Sequence, residues 1–339
     1  MKIAKVRRRR GAIVVLFAML LVVFLAVFAF AIDLGLVCSF RGDLQRAADS
    51  GALAGAGKLI DGVPVATATA RDFVRLNPSG GRTLTDGEIS VDVGRWDRNS
   101  RAFLDGQTPF DAVRVTTRQD NTPLFFGRLF RRTPLNLQTA AVATSQPRDI
   151  MLVLDYSGSM NDDHKIESLK DAVTMFIAYL QQAGTRDRVG LTIYSTNGQL
   201  AQTLTFDLAA VERSVRSRLA GGWTNIGEGL QLGFNDLRTN GRAGANKMMV
   251  LMTDGIANRP LNRDPFQYVR DEAQLCAAAK IPVVSISFGS DADQTIMREV
   301  ADITGSVHFH VAGSVAGQEQ QIKDVFLKVA ANRPLQLVQ

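Results

Sequence analysis

Five oxygen-bearing side chains stand where they could share one cation. Asp155, Ser157 and Ser159 follow an apolar run at 150–154, Asp254 follows a second run at 248–252 through Thr253, and Thr224 lies between them in Gly221-Gly222-Trp223-Thr224-Asn225. Hard oxygen donors without imidazole or thiolate suit Mg²⁺, Mn²⁺ or Ca²⁺ better than zinc or copper. Two carboxylates neutralise one divalent ion while hydroxyls donate little, so the metal stays electrophilic and takes one more anionic oxygen. A partner's Asp or Glu can supply it.

The elements that must position these residues are legible in the hydropathy pattern. Strands are predicted at 150–154, 188–194, 200–205, 248–252, 282–288 and 308–311. Ile166, Leu169, Val173, Phe176, Ile177 and Leu180 form one helical stripe, and Ile322, Val325, Phe326 and Val329 form another. Apolar strands alternating with amphipathic helices predict a doubly wound, mostly parallel α/β sheet covered on both faces. In such a sheet the loops at the carboxyl ends of the strands meet at one edge, which would bring Asp155, Thr224 and Asp254 together.

Asp155-x-Ser157-x-Ser159, then Thr224, then Asp254 after an apolar strand, resembles the metal-ion-dependent adhesion site of a von Willebrand factor type A domain. The order of elements from Asp149 onward fits that domain, which would occupy 149–335. The resemblance implies that Ser157, Ser159 and Thr224 contact the metal, that Asp155 and Asp254 act directly or through water, and that a ligand carboxylate completes an octahedron. Mg²⁺ is the first expectation, with Mn²⁺ or Ca²⁺ as alternatives.

The chain has 339 residues and a formal charge of +6, which first suggests a polyanion binder. Position overturns this. Lys2, Lys5 and Arg7 to Arg10 are six of the 39 bases, and the remaining 33 balance 33 acids. The body is electroneutral, and no nucleic-acid partner is expected.

Directly after that basic segment (1–10) come 22 residues, 11–32, with no charge. At about 1.5 Å per residue they reach roughly 33 Å, enough to cross a hydrocarbon core. Ala29-Phe30-Ala31 has the form of a signal cleavage site, but the run exceeds the usual h-region, so a retained transmembrane helix is expected. Four arginines before it and Asp33 after it place the amino terminus in the cytoplasm and the bulk outside, in the periplasm if the cell has one. The expected location is the inner membrane, single-pass.

Residues 33–145 read as a helical stalk followed by a small β-rich domain. Leu44, Ala47, Ala48, Gly51, Ala52, Gly55 and Ala56 recur at three- and four-residue spacing, a face that permits close helix contact either with the chain's own domain or with partner helices. Ile89, Val91 and Val93 alternate with polar residues, as do Val113 with Val115 and Leu135 with Leu137. Ser145-Gln146-Pro147-Arg148 reads as a linker.

Ala31-Ile32-Asp33-Leu34-Gly35, then Arg41, Leu44-Gln45-Arg46-Ala47-Ala48-Asp49-Ser50 and Gly51-Ala52-Leu53-Ala54-Gly55-Ala56, resembles the anchor and stalk of TadG-like proteins of the Flp (tight adherence) pilus assembly system. Val93-Gly94-Arg95-Trp96 and Asp111-Ala112-Val113-Arg114-Val115 fit the same group, making 33–145 a stalk with a pilin-like α+β domain. Precursors cut by prepilin peptidase usually carry Glu five residues after the cut; counted from Ala12 that residue is Leu16, which predicts a protein kept in the membrane. Together these resemblances imply a metal-dependent protein-binding component of pilus assembly or anchoring. Its expected partner is a pilus or pilus-assembly component offering an acidic side chain.

An adhesin using the same site on a host or matrix protein is the alternative. Enzymatic readings are weaker: there is no G-x-x-x-x-G-K-[ST] and no G-x-S-x-G around Ser157 or Ser159. Mg²⁺-dependent phosphotransferases with an aspartate nucleophile have D-x-D-x-[TV] after the first strand, and Ser157 stands where their second Asp should be.

Several residues carry a bland expectation. Asp162 and Asp163, beside His164, read as a solvated acidic loop capping a helix from Lys165. His308 and His310 read as packing residues on one strand face. Trp223 could shape a ligand pocket or fill the core. Arg128, Arg131 and Arg132 read as a solvated basic turn. Cys276, in a helical stretch whose Leu275 and Ala278 suggest a packed face, reads as a buried thiol rather than half of a bridge to Cys38.

Overall fold

The structure, a computed structural model, describes residues 10–108, 110–122, 124–127, 135–183, 186–312 and 315–338. The chain divides into two units, one comprising Met1–Thr144 with Leu335–Gln339 and the other Ser145–Pro334. The basic segment before residue 10 and the arginines at 128, 131 and 132 lie outside the described residues.

In the first unit, α1 (Arg10–Lys58) runs without interruption through both the apolar segment and the stalk. Its side chains from Val14 to Leu34 are almost all exposed, with Ala29 the buried exception, whereas Leu44, Ala47, Ala48, Ala52 and Ala56 are buried. One helix therefore has an apolar half without protein cover and a small-residue half packed on its own domain.

What covers the second half is a helix absent from the sequence reading, α2 (Val63–Arg75). A Cβ on Gly51 would stand 2.5 Å from Val74 Cγ2 and 2.8 Å from the Ala70 carbonyl oxygen, so only glycine permits this approach. The stalk's small face thus serves its own fold. The β-branched and threonine content of residues 63–69 masked α2, yet Pro64 in its first turn and buried Ala66, Ala70 and Val74 at four-residue spacing were available signals.

Beside the helices lies an antiparallel sheet of β1 (Ile89–Asp97), β2 (Ala102–Asp105), β3 (Ala112–Thr122) and β4 (Leu135–Ser145). The terminal strand Leu335–Leu337 pairs with β4, giving the order terminal strand, β4, β3, β1, β2. Val113 and Val115 from β3 meet Ala141 and Ala143 from β4 beneath α1. The second unit is therefore inserted between β4 and the last strand of the first.

The second unit is a six-stranded sheet with helices on both faces. Its elements in order are β5 (Arg148–Asp155), α3 (Lys165–Gln182), β6 (Arg188–Tyr194), β7 (Gly198–Thr205), α4 (Leu208–Arg216), α5 (Ile226–Asn240), β8 (Asn246–Thr253), α6 (Pro265–Ala278), β9 (Val283–Phe288), α7 (Gln294–Ile303), β10 (His308–Val311) and α8 (Val315–Ala331). The strand order is β10-β9-β8-β5-β6-β7, parallel except for β6 with β7. Side-chain alternation along β5 divides the core: Ile150, Leu152 and Leu154 pack with α3 and α8, while Met151 and Val153 pack with α5, α6 and α7. The doubly wound α/β expectation holds, including all six strand positions.

Arg148 is not linker. It is fully buried, its guanidinium bonds Asp187 Oδ2 at 2.8 Å, and it donates to the carbonyls of Val329, Ala330 and Asn332 at 2.8 to 3.0 Å. A guanidinium there neutralises a buried carboxylate and satisfies carbonyls left open at the end of α8.

Candidate metal centre

β5 is flanked by β8 on one side and β6 on the other, so the chain's winding reverses between β5 and β8. Such a switch point opens a crevice at the carboxyl ends of the two strands. Asp155 ends β5 and Asp254 directly follows β8.

Three loops converge there and are laced by backbone bonds. Gly158 N–H donates to the Gly222 carbonyl (3.0 Å) and Gly221 N–H to that of Tyr156 (2.8 Å), joining the first loop to the second. Asn258 N–H donates to the Thr224 carbonyl (3.0 Å), and Thr224 N–H to Asn258 Oδ1 (2.8 Å), joining the second to the third. Asn225 caps α5 by accepting from Glu228 N–H, which seats Thr224 just ahead of the helix.

The Ser157 and Ser159 hydroxyls lie 3.1 Å apart, and Ser159 Oγ donates to Asp254 Oδ1 at 2.7 Å. Asp155 accepts from Ser157 N–H through Oδ1 (2.7 Å) and from the Thr253 hydroxyl through Oδ2 (2.6 Å). A Cβ placed on Gly255 would sit 3.5 Å from Ser159 Oγ and 3.6 Å from Thr224 Oγ1, so those two hydroxyls face the same small space. Asp155, Ser157, Thr224 and Asp254 are buried, and Ser159 is half-buried. Burial, then the charge of Asp254, raises the Asp155 carboxyl to about 7.

Two contributors escaped the sequence reading. Thr253, whose hydroxyl binds Asp155, could have been noticed as the only hydroxyl residue in the strand Asn246–Thr253. Lys165 Nζ lies 2.9 Å from Asp254 Oδ2, with both side chains buried. A contact across 89 positions leaves no local signature.

The donor set fits a hard divalent cation: two buried carboxylates and three hydroxyls, one carboxyl raised by burial and then by its neighbour. Among the described residues no group of three or more His, Cys, Asp or Glu forms a competing cluster. Any ion at this crevice would depend on the hydroxyls.

Around the rim, Trp223 is 52% exposed and carries the Arg259 guanidinium 4.1 Å from its ring centroid, which removes it from the core. Ile256, two residues beyond Asp254, is also exposed. Asp162, Asp163 and His164 are exposed, but none caps α3; His164 occupies the N-cap position in a left-handed conformation without a side-chain bond. His308 and His310 share a face, sharing hydrogen bonds with the Ser285 and Ser287 hydroxyls. Both cysteines are free. Burial raises the Cys276 thiol to about 12, yet its packed face is Val269 and Ala273, because Leu275 and Ala278 are exposed.

The family model of the von Willebrand factor type A domain matches residues 149–324. A TadE/G-like Flp pilus-assembly model matches residues 11–58, and a Tad-like Flp pilus-assembly model matches 54–143. Calcium-activated chloride channel regulator 1 from Bos taurus is 22% identical over 219 residues, 63% of this chain and 22% of that protein. Inter-alpha-trypsin inhibitor heavy chain H1 from Sus scrofa is 25% identical over 163 residues, 44% of this chain and 17% of that one. The chain spans about a fifth of the length of the curated relatives it matches. Among solved structures, the vWF domain of the type V pili tip protein Mfa5 from Porphyromonas gingivalis aligns with a TM-score of 0.45 at 14% identity, covering 56% of this chain and 98% of that one. The PilB minor pilin from Streptococcus sanguinis aligns with a TM-score of 0.45 at 14% identity, covering 75% and 80%.

Proposed function

The chain belongs to the von Willebrand factor type A family, carried on a TadG-like Flp pilus-assembly scaffold, and we propose that its type A domain binds pilus components through a divalent cation. The observation that carries this reading is the convergence of Asp155, Ser157, Ser159, Thr224 and Asp254 at the switch point of the sheet.

The charges argue for the class of ligand. With the Asp155 proton displaced by a divalent ion, Asp155 and Asp254 would carry two negative charges, Lys165 lies within bonding distance of Asp254 and adds one positive charge, and the ion adds two. One positive charge is left over in a low-dielectric crevice, and one carboxylate from a partner would neutralise it. Mg²⁺ suits the small set of hard oxygens, which leaves room for water and one ligand. Exposed Trp223 with Arg259, and Ile256, would contact the residues flanking that partner carboxylate.

The role is one of binding. Ser157 stands where a phosphotransferase of the aspartate type would carry its acid/base carboxylate, and its hydroxyl shares a hydrogen bond with Ser159 instead. The exposed apolar half of α1 supports a single membrane anchor, with the type A domain outside and the basic end in the cytoplasm, at the inner membrane.

Pilus display and divalent-dependent pull-down of pilus components, compared between wild type and Asp155→Ala, test the proposal. Loss of both in the variant, and loss of the pull-down in EDTA for wild type, are expected. Retention of both would sink it.

A further inference from the structure

The described residues between β3 and β4, Leu124 to Gly127, have a feature that neither the pilus role nor the metal site uses. Leu124 to Gly127 form a tight turn held by a carboxylate from α1: Phe126 N–H donates to Asp33 Oδ1 (2.9 Å) and Gly127 N–H to Asp33 Oδ2 (2.7 Å). A Cβ on Gly127 would come within 2.6 Å of Leu124 Cβ and Cδ1, so the Leu124 side chain closes over a glycine that nothing larger could replace without movement. The Phe126 ring meets Phe125 edge-on at 4.9 Å. Phe125 is nevertheless 70% exposed.

Asp33 is also the first ionisable residue after the 22 uncharged positions of α1. Because α1 continues through this point without a break, Asp33 marks where the helix leaves hydrocarbon. A carboxylate at that depth is costly unless its oxygens are bonded, and the two backbone N–H groups bond one oxygen each. The turn's backbone is therefore fixed within one hydrogen bond of the membrane boundary. Exposed Phe30, Ile32 and Leu34 on α1 supply apolar surface at the same level. Aromatic rings are favoured at the headgroup level, where an apolar face and a wet edge are both accommodated.

We propose that the Leu124–Gly127 turn is an interfacial foot: pinned to Asp33, it inserts Phe125 into the lipid leaflet facing the folded domains. Its occupant is the bilayer itself, since the foot is continuous with the surface that α1 presents to lipid. The proposal rests on the anchor reading above. Its consequence is that the first unit stands on the membrane at two points, α1 and the turn, which limits tilting about the anchor.

Full-length protein in proteoliposomes containing brominated phospholipids tests it, with the signal of Trp96 and Trp223 in the unaltered chain subtracted. Phe125→Trp should be quenched at least about twofold above that background, most strongly by bromines near the headgroup. Phe24→Trp, about 13 Å deeper along α1, should be quenched most by bromines near the chain ends. Adding Asp33→Ala should return the Phe125→Trp signal toward background and leave Phe24→Trp unchanged. Quenching at Phe24→Trp with none at Phe125→Trp would overturn the foot while the anchor stands. No quenching at either position would remove the anchor and the foot with it. Quenching at Phe125→Trp that survives Asp33→Ala would overturn the pinning, and shielding that needs an added protein would overturn the bilayer as occupant.

Discussion

The two ends of β5 bury the same chemistry and treat it in opposite ways. At the amino end, Asp149 accepts from Arg188 at 2.7 and 3.0 Å and from Arg242 side-chain and backbone groups at 2.6 to 2.9 Å. Burial opposes its charge, but those two guanidinium groups prevail and hold it below the usual carboxylate range. Next to it, Arg148 and Asp187 neutralise one another. At the carboxyl end, Asp155 receives one backbone amide and one hydroxyl, faces Asp254, and is raised to about 7. The protein completes the first set of charges itself and leaves Asp155 at the second without a cationic partner, which is the difference that the proposed cation site requires.

The comparison is broken most severely at its neutralised end. Arg148→Met leaves buried Asp187 with the backbone N–H of position 148 at 2.9 Å and Arg333 at 3.1 Å but without its fully buried guanidinium, and strips donors from three carbonyls, so stability should fall by about 3–5 kcal/mol in urea unfolding of the detergent-solubilised chain. A loss below about 1 kcal/mol would mean that this end is not self-sufficient in the way described.

At the other end, the missing charge should come from outside. Mg²⁺ at about one hundred times its dissociation constant should stabilise the wild type by about 2.7 kcal/mol and Asp155→Asn not at all. Without metal, Asp155→Asn should match or exceed the wild type in melting temperature above pH 7, because it removes an unfavourable charge. A clear drop instead would make Asp155 a structural residue.

The pH response sharpens the contrast. An unfolded Asp ionises near 3.9, so between about pH 4 and 7 folded Asp155 holds a proton that the unfolded chain has released. Metal-free stability contributed here therefore falls as pH rises through that window, by about 3 kcal/mol, and saturating Mg²⁺ should flatten the slope. Asp149 has the opposite sign: its contribution is present above the unfolded value and is lost as pH falls through its lowered folded pKa. Comparing melting curves of Asp155→Asn and Asp149→Asn with wild type from pH 3 to 8 separates the two; parallel slopes would refute the distinction.

Lys165 gives the smallest expected effect. Lys165→Met removes a positive charge beside Asp254, so divalent affinity measured by calorimetry should rise about tenfold while the metal-free protein melts lower. Unchanged affinity would show that Lys165 only fills space.

Much of the second unit was legible because doubly wound sheets write themselves locally. Largely apolar runs marked the inner strands β5, β6, β8 and β9, the edge strands β7 and β10 were expected despite their mixed composition, and Asp155, Ser157, Ser159, Thr224 and Asp254 stood at loop positions that such a topology gathers. The first unit was less legible. Residues 63–69 combine Pro, Val and Thr with Ala, so the propensity of α2 gave no clear helix signal, and its small-residue match to Gly51 and Gly55 exists only once α1 is beside it. Arg148 looked like linker because a charged residue after Pro147 usually is; its three carbonyl partners lie more than 180 residues away.

By itself, then, the sequence determined the periodicities, the uncharged 22-residue run, the placement of the net charge and the kinds of donor available, since each depends on neighbours along the chain. Tertiary structure alone decided that Lys165 faces Asp254, that Thr253 holds Asp155, that Asp33 pins the turn at Phe126 and Gly127, and that Leu335–Leu337 returns to the first sheet. The reason is physical: backbone geometry sets local pattern over a few residues, whereas the partner of a buried charge is whichever group chain reversal brings within about 3 Å.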